Sequence, residues 1–194
     1  MIIEVWADYV CPWCYLALDR ADHLAAAHGA EIRWRPFELH PETPVDGAPV
    51  PGGRLPNVAR DELREELARA GLPVARRRRL ANSARALALS AWASDRPEWP
   101  VLHRRLFDAC WAEGRDLGDP EELVAIATES GIPRAGAEEA VASGWGRDLL
   151  AIARDRALDL GIGATPGWHF GNGVVLVGAH PPAVFERVIG RLGG

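Results

Sequence analysis

The stretch DYVCPWCY, residues Asp8–Tyr15, places two cysteines three residues apart where a strand-like segment gives way to a helical one. Residues 2–8 are rich in β-branched and aromatic side chains and predict a strand, whereas Cys11 to about Ala27 repeats apolar residues at the spacing of a helix face. At a helix start, unpaired backbone N–H groups and the positive end of the helix dipole stabilise a thiolate. We therefore predict a redox dithiol in which Cys11 is the nucleophile and the more buried Cys14 resolves a mixed disulfide.

A C-x-x-C pair has two other interpretations, half of a zinc site or two inert core cysteines. Zinc would need four soft ligands, but the chain has no second C-x-x-C and no H-x3-H pair, and its histidines show no metal spacing. Inert core cysteines would not need Pro12 and Trp13 between them at a helix start. We therefore favour redox use and predict no metal site.

The composition of the 194-residue chain is close to the globular average, with 48% hydrophobic and 25% charged residues and a net charge of -5. These values exclude a disordered, collagen-like or coiled-coil chain. All 22 basic residues are arginine, which excludes Schiff-base chemistry and a P-loop lysine. The third cysteine, Cys110, falls on a helical stripe with Leu102 and Leu106, so we predict a core thiol, with a regulatory disulfide as the other interpretation.

The N-terminal residues run directly into a strand-like segment, with no basic region and no apolar signal core, so we predict a cytoplasmic protein. No apolar stretch approaches the roughly 20 residues that a membrane span needs, which predicts no membrane partner. We interpret the run Arg76–Arg79 as a solvated helix end rather than a nucleic-acid surface, because the chain is net acidic and no aromatic residues are interleaved with the run.

The segments after the first helix predict a second strand and then a block of helices. Glu31–Phe37 predicts a strand that Pro36 ends. His40–Asn57 holds so many prolines and glycines that we predict a loop with neither helix nor sheet pairing. From about Ala59 to Gly144, segments rich in Ala, Leu, Arg and Glu are broken by Gly and Pro and predict four or five short helices.

The best-marked helix start in that block lies at Asp119, which can cap the helix. Pro120 suits the first helical position and Glu122 falls at the capping-box position. The C-terminal part predicts a helix, a hairpin and a last helix. These are Arg147–Leu160, the strands Trp168–Phe170 and Val174–Val177 joined by Gly171-Asn172-Gly173, and a helix from Pro181 and Pro182 through Ile189.

Five segments of this chain carry a family resemblance, in the same order and over nearly its whole length. They are DYVCPWCY at 8–15, WRPFEL at 34–39, LFDA at 106–109 with EG at 113–114, TP at 165–166 and GAHP at 178–181. Together they resemble the DsbA-like thioredoxin-fold oxidoreductases of the FrnE branch. The resemblance implies an α/β thioredoxin fold with a helical insertion domain. Residues 1–57 and 147–194 would form the thioredoxin-like domain, and residues 58–146 the inserted helical domain.

By position, the resemblance also implies that Cys11 and Cys14 are the redox-active dithiol and that Pro166 is a cis proline facing it. The residue before a cis proline, here Thr165, can offer its backbone N–H and C=O to an extended substrate strand. Proton transfer to Cys14 is left open between Asp8, Glu4 and water.

Two tryptophans are candidates for an apolar substrate rim at the predicted site. Trp13 lies between the two cysteines, where a thiol has to be reachable by substrate. Pro12, the other residue between the cysteines, is also a candidate for the active site. Trp168 is the second rim candidate, and the other interpretation is that its ring packs inward.

The function that these residues favour is thiol-disulfide exchange through a mixed disulfide on a protein or small-molecule disulfide or dithiol substrate. No cofactor is required, and glutathione or another low-molecular-weight thiol is the candidate redox partner. A neighbouring branch, the 2-hydroxychromene-2-carboxylate isomerases and kappa-class glutathione transferases, implies the alternative of a thiol-dependent isomerase or transferase acting on aromatic small molecules. Those proteins typically carry serine at the position of Cys11, so the dithiol favours redox turnover. A non-enzymatic chaperone has little support, and a homodimer is left open.

Overall fold

The computed structural model describes residues 1–49, 57–77, 79–143 and 146–192. In chain order the strands are β1 (Ile2–Ala7), β2 (Glu31–Pro36), β3 (Ala48–Pro49), β4 (Arg79–Leu80), β5 (Gly167–Phe170) and β6 (Val174–Val177). The helices are α1 (Pro12–His28), α2 (Asn57–Arg69), α3 (Ala84–Ala93), α4 (Trp99–Asp108), α5 (Pro120–Glu129), α6 (Arg134–Ser143), α7 (Arg147–Asp159) and α8 (Pro182–Leu192). A π-helical turn, Ala109–Glu113, continues α4.

The main sheet in the described part of the chain has the strand order β2-β1-β5-β6. Strand β1 runs parallel to β2 and antiparallel to β5, and β5 forms a hairpin with β6. Pro36 is tolerated at the end of β2 because β2 is an edge strand, where a missing N–H breaks no ladder. The predicted β-α-β opening and the C-terminal hairpin are therefore confirmed.

Alternation along β1 sets which helices cover each face of the sheet. Ile3 and Val5 pack in one hydrophobic cluster with residues of α1 and α8. Trp6 points to the other face, where it packs with Ala157 of α7 and donates a hydrogen bond from Nε1 to the Ala153 carbonyl at 3.1 Å. The sheet therefore lies between α1 and α8 on one side and α7 on the other.

Helices α2–α6 lie between β2 and α7 in sequence, which confirms a thioredoxin fold with a helical insertion. One hydrophobic cluster joins the dithiol segment to this insertion, since Tyr9 and Cys14 share it with Leu89 of α3 and Leu106 of α4. The sheet comes from the two ends of the chain and the insertion from the middle. The boundaries at residues 57 and 147 stay a prediction.

The predicted absence of sheet pairing in His40–Asn57 is wrong, because Ala48 and Pro49 pair antiparallel with Leu80 and Arg79. The two-residue ribbon tolerates Pro49 because proline lacks only the backbone N–H donor and keeps its carbonyl as an acceptor. The part of that loop at residues 50–56 lies outside the described residues.

Two finer predictions also need correction. Asp119 caps α5 as predicted, with Oδ1 accepting from the Glu121 N–H at 2.9 Å, but Glu122 completes no capping box. It accepts a hydrogen bond from Arg115 Nε at 2.6 Å instead. The arginine run is not a helix end, since Arg77 lies in an irregular segment and Arg79 in β4; Arg78 lies outside the described residues. Within the described ranges, none of the helices combines the length and apolarity that crossing a membrane requires.

Candidate active site

Helix α1 begins at the dithiol, and its start is set by the sequence. Cys11 is the N-cap residue and has extended backbone angles. Pro12 occupies the first turn, where the missing proline N–H breaks no hydrogen bond of the helix. The Cys11 carbonyl accepts hydrogen bonds from the Cys14 and Tyr15 N–H groups at 3.1 and 3.2 Å. This places both sulfurs at the positive end of the helix. Both thiols are free and buried, with Cys11 2% and Cys14 0% exposed.

The surroundings drive the pKa values of the two thiols in opposite directions. Burial raises the pKa of Cys11, but the hydrogen-bonding thiol and backbone of Cys14, together with the nearby Thr165 hydroxyl, outweigh burial and lower that pKa. For Cys14, burial again raises the pKa, and the hydrogen bond to Cys11 together with the charge on Cys11 raises it further. Cys11 is therefore the thiol that ionises first, and Cys14 donates to its sulfur.

Across from the dithiol, the Thr165–Pro166 peptide bond is cis. The Cys11 thiol lies 3.6 Å from the Thr165 carbonyl oxygen and donates a hydrogen bond to it. The Thr165 hydroxyl oxygen is buried without a hydrogen-bond partner of standard geometry among the described residues, yet it lowers the pKa of both thiols. Gly167 follows, and a Cβ there would lie 2.2 Å from Cγ2 of Ile162. The site therefore needs glycine after the proline.

Asp8 is the buried carboxylate of the site and is fully inaccessible to solvent. Its Oδ1 accepts from the Val10 N–H at 3.1 Å, and its Oδ2 accepts from the Leu39 N–H at 2.7 Å and the Ser83 hydroxyl at 3.0 Å. Burial raises its pKa to about 6, although these hydrogen bonds oppose the rise. A hydrogen bond from the Asp8 backbone lowers the pKa of Cys14, and the charge of the Asp8 carboxylate raises the pKa of Cys11.

Glu4, the other acidic candidate, is held in an ion-pair network away from this role. Burial raises its pKa, but the hydrogen bond and charge of Arg35 and the charge of Arg156 outweigh burial and lower it. Arg35 Nη2 and Arg156 Nη2 lie 2.7 and 2.6 Å from its carboxylate oxygens. Of the two carboxylates, Asp8 is the one whose pKa lies nearer neutrality.

The two rim tryptophans have different environments. Trp13 is half-buried beside the dithiol, as a rim residue would be. Trp168 is 0% exposed, and its ring packs against Phe185 of α8 at a centroid distance of 4.8 Å. Trp168 pairs with Val5, which puts its side chain on the α1 and α8 face of the sheet. The rim role predicted for Trp168 is therefore wrong, and the inward-packing interpretation is the correct one.

Cys110 is a core thiol, 1% exposed. Arg77 donates to its sulfur at 3.3 Å and stacks over the Trp111 ring at 3.5 Å. Burial raises the pKa of Cys110 to about 11, although the Arg77 charge opposes the rise. This thiol is protonated at neutral pH and stays chemically inert while buried.

A polar cluster that was not predicted from the sequence lies behind Tyr9, where the insertion meets the edge strand. The Tyr9 hydroxyl lies 2.7 Å from Ser90 Oγ and 2.8 Å from His103 Nδ1. Burial lowers the pKa of His103 to about 3, so its ring is neutral at physiological pH. A cavity of about 260 Å³ opens beside this cluster, lined largely by apolar and aromatic side chains that include Trp34, Trp99 and Phe107. The position of Tyr9, two residues before Cys11, is the signal that could have indicated it.

A dithiol at the first strand-to-helix turn, facing a cis X–Pro bond and covered by inserted helices, defines a DsbA-like protein of the thioredoxin fold. Residues 2–190 match the family model of the DSBA-like thioredoxin domain, and the chain belongs to that family.

Solved structures agree with this assignment. A probable DsbA oxidoreductase of Streptomyces coelicolor has 25% sequence identity and a TM-score of 0.88, covering 98% of this chain and 89% of its own. A 2-hydroxychromene-2-carboxylate isomerase has 21% identity and a TM-score of 0.80, covering 99% of this chain and 96% of its own. The cytosolic disulfide reductase DsbM of Pseudomonas aeruginosa, solved with GSH, has 20% identity and a TM-score of 0.71, with coverage of 97% and 99%. The last two similarities show the fold alone.

Proposed function

We propose that this protein is a thiol-disulfide oxidoreductase that works through a mixed disulfide on Cys11. The observation that carries the proposal is the position of Cys11, which caps the start of α1 and lies 3.6 Å from the carbonyl of the cis Thr165–Pro166 bond. The lowered pKa of Cys11 and the raised pKa of Cys14 agree with it. Only a thiolate attacks a disulfide, so the thiol that ionises first is the nucleophile.

The reaction in the reducing direction has two exchanges. The Cys11 thiolate attacks one sulfur of a substrate disulfide, forms a new S–S bond and releases the other sulfur as a thiolate. Cys14 then loses its proton and attacks the Cys11 sulfur, which releases the second substrate thiolate and leaves a Cys11–Cys14 disulfide. Two electrons pass to the substrate, and the reverse sequence oxidises a dithiol.

Three neighbours of the dithiol have proposed roles in these steps. Asp8 accepts the Cys14 proton, because its carboxylate has a pKa of about 6 and its backbone contacts that thiol. The Thr165 carbonyl, 3.6 Å from the Cys11 sulfur, orients the attacking thiol, and the residue pairs with an extended substrate segment. Half-buried Trp13 offers the apolar contact beside the sulfur.

We propose that glutathione or another low-molecular-weight thiol completes the cycle in the cytoplasm. Two such thiols would reduce the Cys11–Cys14 disulfide and form one small-molecule disulfide. Support comes from the fold shared with the cytosolic reductase DsbM, which was solved with GSH. A redox titration of the dithiol against glutathione tests this partner, and a dithiol that never equilibrates with glutathione contradicts it.

The mechanism is tested by trapping the mixed disulfide. The Cys14→Ser variant lacks the resolving thiol, so a disulfide substrate should leave a stable adduct on Cys11 that mass spectrometry of the digested protein locates. The matched control is Cys11→Ser, which keeps Cys14 and should give no such adduct. Absence of an adduct on Cys11 in the first variant, or an equal adduct on Cys14 in the second, contradicts the mechanism.

The cavity beside Tyr9 favours one alternative, a thiol-dependent isomerase or transferase for aromatic small molecules. Its aromatic lining and the polar Tyr9, Ser90 and His103 groups suit a ring that carries a hydrogen-bonding substituent. An isomerase of the same fold is among the solved structures. Isomerase or conjugating activity that survives in a Cys14→Ala variant would favour this function over redox turnover.

A further inference from the structure

Two histidines and a glutamate meet on the outer surface, where the end of α1 lies beside α8. His23 Nε2 lies 2.9 Å from Glu186 Oε1, and His28 Nε2 lies 2.9 Å from Glu186 Oε2. One ligand atom from each of the three residues lies within 4.8 Å of the other two. Glu186 follows His28 by 158 positions, so no local spacing motif in the sequence indicates this cluster.

The spacing of these atoms is close to that of a metal coordination sphere. Zinc binds imidazole nitrogen and carboxylate oxygen at about 2.0 to 2.2 Å with tetrahedral geometry, so neighbouring ligand atoms lie roughly 3.3 to 3.6 Å apart. The nitrogen–oxygen pairs at 2.9 Å need to open only slightly to admit an ion. Imidazole nitrogen with a carboxylate also suits Co²⁺, Ni²⁺ and Cu²⁺.

The surroundings allow an ion to enter the cluster. The side chains of His23, His28 and Glu186 are 48%, 24% and 43% exposed to solvent. An ion can therefore enter from solvent and bind a water molecule as its fourth ligand. His28 is also the last residue of α1, where the negative end of the helix dipole favours a cation.

We propose that His23, His28 and Glu186 bind one divalent transition-metal ion of the zinc type, which links α1 to α8. The site lies at the opposite end of α1 from the dithiol, and a 17-residue helix is about 25 Å long. The metal is therefore separate from the thiol chemistry, and its expected effect is to hold the last helix against the first. This inference goes beyond the proposed oxidoreductase function and does not depend on it.

The rival interpretation is a simple His–Glu ion-pair cluster without metal affinity, and calorimetry distinguishes the two. We would titrate Zn²⁺ into the full chain carrying Cys11→Ser and Cys14→Ser, because free thiolates would bind zinc themselves. One Zn²⁺ per chain should bind. Replacing His28 with Ala, or Glu186 with Gln, in that background should weaken binding at least about tenfold, since each removes one of three protein ligands.

His180→Ala is the matched control, since His180 bonds the Val177 carbonyl and lies outside the cluster. It should bind Zn²⁺ as tightly as the parent. Zn²⁺ should also raise the melting temperature of the parent and of this control, but not that of His28→Ala. Circular dichroism without metal verifies that each variant folds. No zinc binding by the parent, or unchanged affinity in both His28→Ala and Glu186→Gln, overturns the proposal.

Discussion

At the scale of single residues, the site depends on three groups that are buried and titratable. Cys11, Cys14 and Asp8 are all at most 2% exposed, and each has a shifted pKa. Burial alone would raise all three pKa values, so the hydrogen bonds to Cys11 are what lower its pKa below that of an ordinary thiol. The sequence indicated the two thiols by their place at a helix start. It left proton transfer to Cys14 open between Asp8, Glu4 and water, because the arginines that pair with Glu4 come from distant segments.

Asp8 gives the free energy of unfolding a defined pH dependence. Its pKa rises from 3.8 to about 6 on folding, so between these pH values the folded chain keeps a proton that the unfolded chain has lost. Its contribution to stability therefore falls as pH rises through that window. We expect Asp8→Asn to gain stability relative to wild type by about 1 to 3 kcal/mol between pH 4 and pH 6.5, measured by urea unfolding at both pH values. Asp155→Asn, the same substitution at an exposed position, is the control and should leave the pH profile of wild type unchanged. Parallel pH profiles of Asp8→Asn and wild type would contradict this account.

At the scale of elements, the sequence predicted which segments become helices and strands better than it predicted which way their side chains face. The start of α1 at Cys11-Pro12 and the cap at Asp119 follow from local chemistry. Trp168 shows the limit, because alternation along a strand separates two faces without saying which of them lies nearer the site. Its register against Val5 and its packing on Phe185 decide that question, and both are long-range contacts.

Strand β5 is positioned by close contact of Gly167 with Ile162. An added Cβ would lie 2.2 Å from Cγ2 of Ile162, so Gly167→Ala has to displace the strand or the isoleucine. We expect a loss of about 1 to 3 kcal/mol in the free energy of unfolding, measured in urea, and slower reaction with a disulfide substrate. Gly163→Ala is the control, since nothing lies within 4 Å of a Cβ there. If Gly167→Ala and Gly163→Ala were equally stable, the close approach of Ile162 would not be the reason for glycine at position 167.

At the scale of the whole molecule, the insertion and the dithiol segment share one core. Tyr9, Cys14, Leu89 and Leu106 belong to the same buried cluster although they come from both parts of the chain. The composition predicted a block of short helices, and the family resemblance implied that this block is an insertion. The sequence could not show this shared packing, nor the pairing of Ala48 with Leu80, because both are contacts between segments far apart in sequence.

The shared core predicts that the two parts unfold together. Leu106→Ala removes a fully buried side chain from α4 and should cost about 2 to 5 kcal/mol. Tryptophan fluorescence and accessibility of Cys11 to a thiol reagent should then report one common urea transition, shifted equally for both probes. Val101→Ala, an exposed residue of the same helix, should leave that transition nearly unchanged. Separate transitions for the two probes would show that the insertion and the dithiol segment unfold independently.

The most direct test of the account is the ionisation of Cys11, followed by thiolate absorbance at 240 nm as the reduced protein is titrated with base. One thiolate should form below the ordinary thiol pKa of 9.0 in wild type and should be missing in Cys11→Ser. In Cys14→Ala the same ionisation should move to higher pH, because Cys11 loses its strongest hydrogen-bond donor. A Cys11 thiol that ionises at or above 9.0, or a low-pH thiolate that persists in Cys11→Ser, would contradict Cys11 as the nucleophile.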